Sequence, residues 1–259
     1  MTENRVSGGV PANGLPEGGQ IAPLTNIAVI EQAIFQLADR GATDPGMMVV
    51  SGPSGYGKSV AAAWAKARHR AYYLQLDDFV TKKSLLVQLC QVLGLSVDGK
   101  PPKGTIQQLA ERVAAQLHQS RRPLIIDEFD FAIDKNLVMA VFSIYEMSRA
   151  SIILIGEEAM PAKLKRWEKF DGRVLDTLYA EPVSLEDARR LARAKNAGLT
   201  LADDLLAHLV TIAKGSVRRL SNNLRKIFET GAAEGWDHCD LARWGDRPLQ
   251  QADVKRRGS

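Results

Sequence analysis

Apolar residues recur with two alternating periods through the first 180 or so positions of the chain. Short unbroken runs such as Met47-Met48-Val49-Val50, Leu124-Ile125-Ile126 and Ile152-Ile153-Leu154-Ile155 have the length and composition of strands buried on both faces. Ala71 to Leu76 and Val174 to Ala180 read as two further strands. Between the runs, apolar positions return every three or four residues, the period of a helix with one buried face. Ile27, Ile30, Ile34 and Leu37 define the first helix, with Thr25 or Asn26 as its N-cap and Gly41 beyond its end. Residues 60–67 form the next helix, and residues 81–93 a third, closed by Gly94. After a Gly/Pro/Lys break at 99–104, Ile106, Leu109, Ala110, Val113 and Leu117 mark a fourth. A helix over about 135–148 and a short basic one ending near Lys169 complete the alternation.

Strands alternating with helices imply an α/β fold whose central parallel sheet is covered on both faces. From Ser184 onward only helical spacing remains, through Leu185, Ala188, Leu191 and Ala192, then Leu205, Leu206, Leu209, Val210 and Ala213, then residues 217–228. The change of period predicts a boundary near Glu181-Pro182, with an α/β nucleotide-binding core over 21–181 and a small helical lid over 182–245. Residues 1–20, with five glycines and two prolines, read as a flexible arm, and residues 246–259 as a flexible basic tail ending in Lys255-Arg256-Arg257.

Composition changes this picture little. Of the 259 residues, 45% are hydrophobic and 25% charged, which is the balance of a globular protein. No apolar run reaches the roughly 18 residues of a membrane helix, and the first residues lack the pattern of a signal peptide, so no membrane partner and a cytoplasmic location are expected. Cys90 and Cys239 have no metal-type spacing and read as small core residues rather than a disulfide. The net charge of +4 is weak support for a polyanionic partner. Trp64, Trp167, Trp236 and Trp244 read as core or interface anchors, because no basic and aromatic interleaving surrounds them.

The candidate chemistry starts directly after the first apolar run. Gly52-Pro53-Ser54-Gly55-Tyr56-Gly57-Lys58-Ser59 has the spacing of a phosphate-binding loop, entered by a strand and followed by a helix. The glycines let successive backbone N–H groups turn onto phosphate oxygens, and the positive end of the following helix points at the same place. Lys58 reaches the β and γ phosphates of ATP, the Ser59 hydroxyl is placed to ligate Mg²⁺, and Val60 begins the helix. Asp127-Glu128, at the end of a later strand, supplies a carboxylate for the metal and one for water: Asp127 beside Ser59 in the metal shell, Glu128 to polarise the attacking water. The alternative is that Asp127 or Asp130 caps the following helix. Two arginines complete the set. Arg218, in Gly215-Ser216-Val217-Arg218, opens a helix of the lid and can reach the γ phosphate; Arg173 follows the fourth strand's helix and can reach a neighbouring subunit's nucleotide. A solvated or salt-bridged arginine is the alternative for each.

This ordered set resembles an AAA+ ATPase with a P-loop core and helical lid. More narrowly, Pro23-Leu24-Thr25-Asn26, residues 52–59, residues 123–128 and Leu154-Ile155-Gly156-Glu157-Glu158 resemble transposition protein B of Mu-like phages. That resemblance implies an ATPase that forms homo-oligomeric filaments or rings on double-stranded DNA, marks a transposition target and stimulates a transposase, with hydrolysis driving release. It also implies nucleotide contacts from Asn26 and from Glu157. Glu157 stands where related proteins have Asn or Thr, and either orients water or pairs with a basic residue. The first 20 residues are too short for the family's N-terminal helix-turn-helix domain, so DNA contact falls to the core. Lys82, Lys83, Lys100 and Lys103 are the candidates, each with a solvated charge as the alternative. A replication-initiation or helicase-loading AAA+ ATPase is the other reading of the same residues. A secretion-associated ATPase and a small-molecule kinase fit less well.

Overall fold

The computed structural model describes residues 24–100, 102–195 and 198–252. The expected arm at 1–20 and the basic triplet 255–257 lie outside these residues. The chain runs α1 (Thr25–Asp39), β1 (Met47–Ser51), α2 (Lys58–Arg68), β2 (Tyr72–Gln75), α3 (Lys82–Val92), α4 (Ile106–Ser120), β3 (Leu124–Asp127), α5 (Asp130–Asp134) and α6 (Val138–Ser148). It continues through β4 (Ile152–Gly156), α7 (Met160–Leu164), α8 (Glu168–Asp171) and β5 (Val174–Tyr179). The rest is α9 (Leu185–Ala194), β6 (Thr200–Leu201), α10 (Asp203–Ala213), α11 (Val217–Ala233), β7 (His238–Cys239) and α12 (Leu241–Trp244).

The first five strands form one parallel sheet in the order β2-β3-β4-β1-β5. Strand period explains how the unbroken apolar runs are used, since successive side chains point to opposite faces. On one face Met47, Val49, Leu124, Ile126, Ile152 and Leu154 pack under α3, α4 and α6. On the other, Met48, Val50, Ile125, Ile153 and Ile155 pack against α1 and α2. Insertion of β4 between β1 and β3 has a functional consequence. The carboxyl ends of β1 and β3, which carry the glycine-rich loop and the Asp-Glu pair, are separated by one strand, and that strand ends at Gly156, next to Glu157.

A third core joins Val183, Ala188, Leu205, Leu209, Leu220, Leu224, Ile227 and the buried Trp244 in the helical region. Leu24, from the start of the chain, inserts into this same core. Cys90 and Cys239 are both buried thiols. No helix among the described residues is long and apolar enough to cross a membrane.

Several elements differ from the sequence expectation. Neither Thr25 nor Asn26 caps α1: Leu24 is the N-cap, and both polar side chains bond to distant segments instead. The helix expected over about 135–148 begins later, as α6 at Val138, because Asn136 takes a left-handed φ of 55° and separates it from α5, a short helix the periodicity did not predict. The short basic helix becomes α7 and α8. Ile106 stands at the first position of α4 and is 45% exposed rather than buried. The region after Ser184 is not purely helical, since β6 and β7 pair in parallel through Thr200–His238 and Leu201–Cys239. Two-residue strands carry too little periodicity to be read. The tail expected from 246 is held as far as the described residues go: Asn223 Nδ2 donates to the Gln250 carbonyl at 2.9 Å, and the Ala252 N–H donates to the Ile212 carbonyl at 3.2 Å.

Candidate nucleotide site

β1 delivers the chain to the glycine-rich loop at Ser51, whose hydroxyl donates to the Glu157 carbonyl at 2.8 Å and ties the ends of β1 and β4 together. The loop then turns through two left-handed glycines, Gly55 at φ 86° and Gly57 at φ 89°. A side chain is disfavoured at these angles, and a Cβ on Gly55 would stand 2.7 Å from Ser216 Oγ. Gly57 is the N-cap of α2, so the helix amino end opens into the loop. The result is a cavity of about 220 Å³ whose floor is Ser54, Gly55, Gly57, Lys58, Ser59 and Val60. Glu128 and Glu157 line one wall. Val217, Arg218 and Ser221 of α11 close the other.

Lys58 Nζ donates to the carbonyls of Gly52 at 2.6 Å and Pro53 at 3.0 Å. Burial pushes its pKa down, opposed by the negative charges of Asp127, Glu128, Glu157 and Asp130. A partly desolvated ammonium held only by carbonyl dipoles is poised to exchange them for an anion.

Glu128 stands at a left-handed φ of 55°, and its N–H donates to Asp127 Oδ1 at 2.9 Å, an arrangement that turns the Glu128 side chain onto the cavity wall. Burial, and then the neighbouring Asp127 charge, push its pKa up, while Lys58 pulls it down. A carboxylate raised in this way is a better proton acceptor than a free one.

Asp127 is fully buried, one step behind the cavity surface. Its Oδ2 accepts a hydrogen bond from Tyr73 Oη at 2.9 Å, and burial raises the phenol's pKa, so Tyr73 remains a donor. Sequence reasoning missed Tyr73, because only the β2–β3 pairing brings it beside Asp127. Asp130 does not cap α5, whose N-cap is Phe129; its Oδ2 accepts the Glu157 N–H at 2.7 Å and fixes the turn after β4. Glu157 makes no ion pair among the described residues, so the expected pairing with a basic residue is not found and its carboxylate faces the cavity.

The donor set fits Mg²⁺ only as a partner of bound phosphates. Ser59 and Asp127 lie on the two elements that flank the cavity, and among the described residues no cluster of three or more acidic, His or Cys side chains could hold a metal alone. Mg²⁺ characteristically keeps several waters and takes one or two protein ligands plus phosphate oxygens.

The helical region docks directly on the loop. The Arg218 N–H donates to the Gly55 carbonyl at 3.2 Å, and the Ser216 hydroxyl donates to the same carbonyl at 3.5 Å. Arg218 therefore stands at the cavity with Lys58, Ser59, Glu128 and Glu157. Asn26 does not: it is buried behind the loop, and its carboxamide is consumed by the backbone of Tyr56 and Glu181. The expected nucleotide contact from its side chain is corrected to a bracing role.

Arg173 is also outside this cavity. Its carbonyl accepts the Met47 N–H at the amino end of β1, so about 13 Å of strand separates it from the loop. Its guanidinium pairs with Glu146 at 2.6 Å. Lys82 and Lys83 are exposed in the first turn of α3, just after Phe79, a large apolar side chain left 88% exposed. Lys100 and Lys103 are exposed beyond the other end of α3, where Lys100 and Val97 exchange two backbone hydrogen bonds of 2.9 Å.

Residues 40–164 match the family model of the AAA domain. No curated protein matches the sequence. Among solved structures, CDC6P from Pyrobaculum aerophilum superposes with a TM-score of 0.61 at 13% identity, covering 86% of this chain and 66% of that one. The Aeropyrum pernix ORC1 protein, solved in complex with DNA, gives 0.61 at 16% identity, covering 84% and 62%. The Aeropyrum pernix ORC2 protein, solved as ADPNP and ADP complexes, gives 0.58 at 15%, covering 86% and 67%. The chain has an AAA+ P-loop fold. At such identities the likeness concerns architecture, and the chain spans only about two thirds of each relative. Within the AAA+ fold, the five-stranded sheet supplies the loop, Asp127, Glu128 and Glu157, and the C-terminal helical region supplies Arg218.

Proposed function

We propose that the protein is an ATP-driven switch that assembles on double-stranded DNA, of the replication-initiation or helicase-loading kind. The observation that carries the reading is the meeting of Lys58, Ser59, Glu128 and Glu157 from the sheet with Arg218 from the helical region around one cavity. The triphosphate lies over the Gly55–Gly57 amides, with Lys58 exchanging its carbonyl partners for the β and γ oxygens. Mg²⁺, held from Ser59 and through Asp127, would neutralise charge developing on those oxygens. Glu128 accepts the proton of the attacking water, and Asp127, fixed by Tyr73, keeps Glu128 turned inward. Arg218 senses the γ phosphate, so hydrolysis alters how the helical region docks. Arg173, far from its own site, acts on the nucleotide of the next copy, which makes a head-to-tail homo-oligomer the active form.

Support for DNA as partner comes from the Aeropyrum pernix ORC1 protein, solved with DNA, and from the exposed lysines of α3. A role as transposition target selector, with a transposase as partner, is the second reading. It is favoured by the four motif segments around Asn26, Lys58, Asp127 and Glu157. Electron microscopy of the chain with duplex DNA and a slowly hydrolysed ATP analogue tests the common part: ordered assemblies on DNA are expected, and monomers free of DNA would overturn it. Stimulation of helicase loading, against stimulation of strand transfer, separates the two readings.

A further inference from the structure

Four consecutive residues at the start of α1 reach three parts of the molecule: the helical region, the glycine-rich loop and the sheet. Leu24 inserts into the core of the helical region, and Ile27 into the layer between α1 and the sheet. Thr25 and Asn26 lie between them and carry all the polar traffic.

The Asp187 carboxylate, buried in α9, accepts the Thr25 N–H at 2.9 Å, and its Oδ2 accepts the Thr25 hydroxyl, also at 2.9 Å. It also accepts the Ser184 N–H at 3.1 Å and the Ser184 hydroxyl at 2.9 Å, closing the capping box of α9. One carboxylate therefore caps the amino ends of two helices, one in the core and one in the helical region.

Asn26 makes the second connection. Its Nδ2 donates to the Tyr56 carbonyl at 2.8 Å and to the Glu181 carbonyl at 2.9 Å, and its Oδ1 accepts the Glu181 N–H at 2.8 Å. Two carbonyls can be satisfied only by the amide's NH₂ side, so the orientation of this carboxamide is fixed by its partners. The contact with Tyr56 has a geometric consequence. In a trans peptide the carbonyl and the following N–H point in opposite directions, and the described chain contains no cis peptide. Holding the Tyr56 carbonyl toward Asn26 aims the Gly57 N–H away from α1, and Gly57 lines the cavity.

We propose that residues 24–26 are a mechanical coupling between the nucleotide loop and the helical region, in which Asn26 is a positioning residue for the Gly57 amide and the Thr25–Asp187 pair transmits the state of the loop to α9. The coupling rests on the ATP-binding reading proposed above. It is distinct from Arg218, which reads the nucleotide directly from the cavity; residues 24–26 grip the loop from behind and do not line the cavity.

The test uses the full chain, ATP binding by calorimetry, and amide hydrogen exchange over α9 with and without ATP. In the parent, ATP slows exchange in α9. Thr25→Val, which keeps the shape and loses the hydroxyl, should melt cooperatively and bind ATP with less than a fivefold loss, yet lose that protection. Thr25→Ser should restore it. Asn26→Ala should raise the Kd for ATP at least tenfold. Full ATP-dependent protection of α9 in Thr25→Val, or ATP affinity in Asn26→Ala within twofold of the parent, would overturn the coupling while leaving the function intact. If Asn26→Ala does not fold, the Thr25 pair decides. A parent chain that binds no ATP overturns both.

Discussion

The hydroxyl end of the Tyr56 side chain, in the glycine-rich loop, lies against Gly215, at the turn into α11, so closely that a methyl group on Gly215 would clash with the phenol oxygen and the ring carbon that bears it. Gly215 also has φ 82°, so a side chain there is opposed by both backbone and neighbour. We expect Gly215→Ala to cost about 1–2 kcal/mol from the left-handed backbone alone, and more from the clash. It should also weaken ATP binding by displacing Arg218. Adding Tyr56→Ala should recover the clash component and leave the backbone component, a separation that urea melts of the two single variants and the double variant would measure.

Lys58→Ala removes the only side-chain cation on the cavity floor. Calorimetry is expected to show no ATP binding at concentrations that saturate the parent, while the melting temperature without nucleotide stays equal or rises, because a half-buried ammonium has been removed. Retained affinity would refute the assignment of the loop.

Glu128→Gln should keep ATP binding and slow hydrolysis by orders of magnitude, giving DNA assemblies that persist with ATP. The same variant carries a pH signature. Glu128 has a folded pKa raised above its unfolded value, so its contribution to stability is full below the unfolded pKa and is lost as pH rises through the folded one. At neutral pH the parent bears that cost and the Gln variant does not. We expect Glu128→Gln to melt higher than the parent at pH 7, with the difference vanishing in acid below the ordinary Glu range. Differential scanning calorimetry at the two pH values checks the sign.

Mixing Arg173→Ala with Lys58→Ala chains should restore part of the ATPase activity lost in each, because some interfaces then join an intact loop to an intact Arg173. Glu146→Ala, which removes the partner that holds Arg173 in the isolated chain, should leave activity present rather than abolish it. No recovery at any ratio would make Arg173 an ordinary surface arginine.

Replacing Lys82 and Lys83 together by Ala should weaken duplex DNA binding without regard to sequence. The slope of log K against log salt should fall in magnitude by about 1.8, which is 0.9 per phosphate contact. An unchanged slope would move the DNA surface elsewhere, with Lys100 and Lys103 next to be tested.

The strands were legible because each unbroken apolar run had one explanation, a strand buried on both faces, and Met47–Ser51 and Ile152–Gly156 fall where those runs predict. The loop was legible because phosphate binding by backbone amides needs its glycines at fixed spacing within one short segment. Asn26 was misread for the opposite reason. A polar residue before an apolar helix looks like an N-cap whatever it bonds, and its true partners are 30 and 155 residues away. Tyr73 escaped, and Asp130 could be read only as a possible helix cap, for the same reason, since the first acts across a strand pairing and the second on a turn 27 residues distant.

By itself, then, the sequence determined the local chemistry: an α/β alternation, a glycine-rich loop with Lys58 and Ser59, a strand ending in Asp127-Glu128, and an arginine opening a late helix. All of these depend on residues close together in the chain, where period and spacing are the physics. Only the tertiary structure decided the strand order that sets Glu157 between Lys58 and Glu128, the docking of Gly215 on Tyr56, and the separation of Arg173 from its own site. It alone also decided that Leu24 to Ile27 tie helical region, loop and sheet together. Those relationships arise from which faces pack once the chain has closed, and hydrogen bonds between distant segments leave no periodic trace in the sequence.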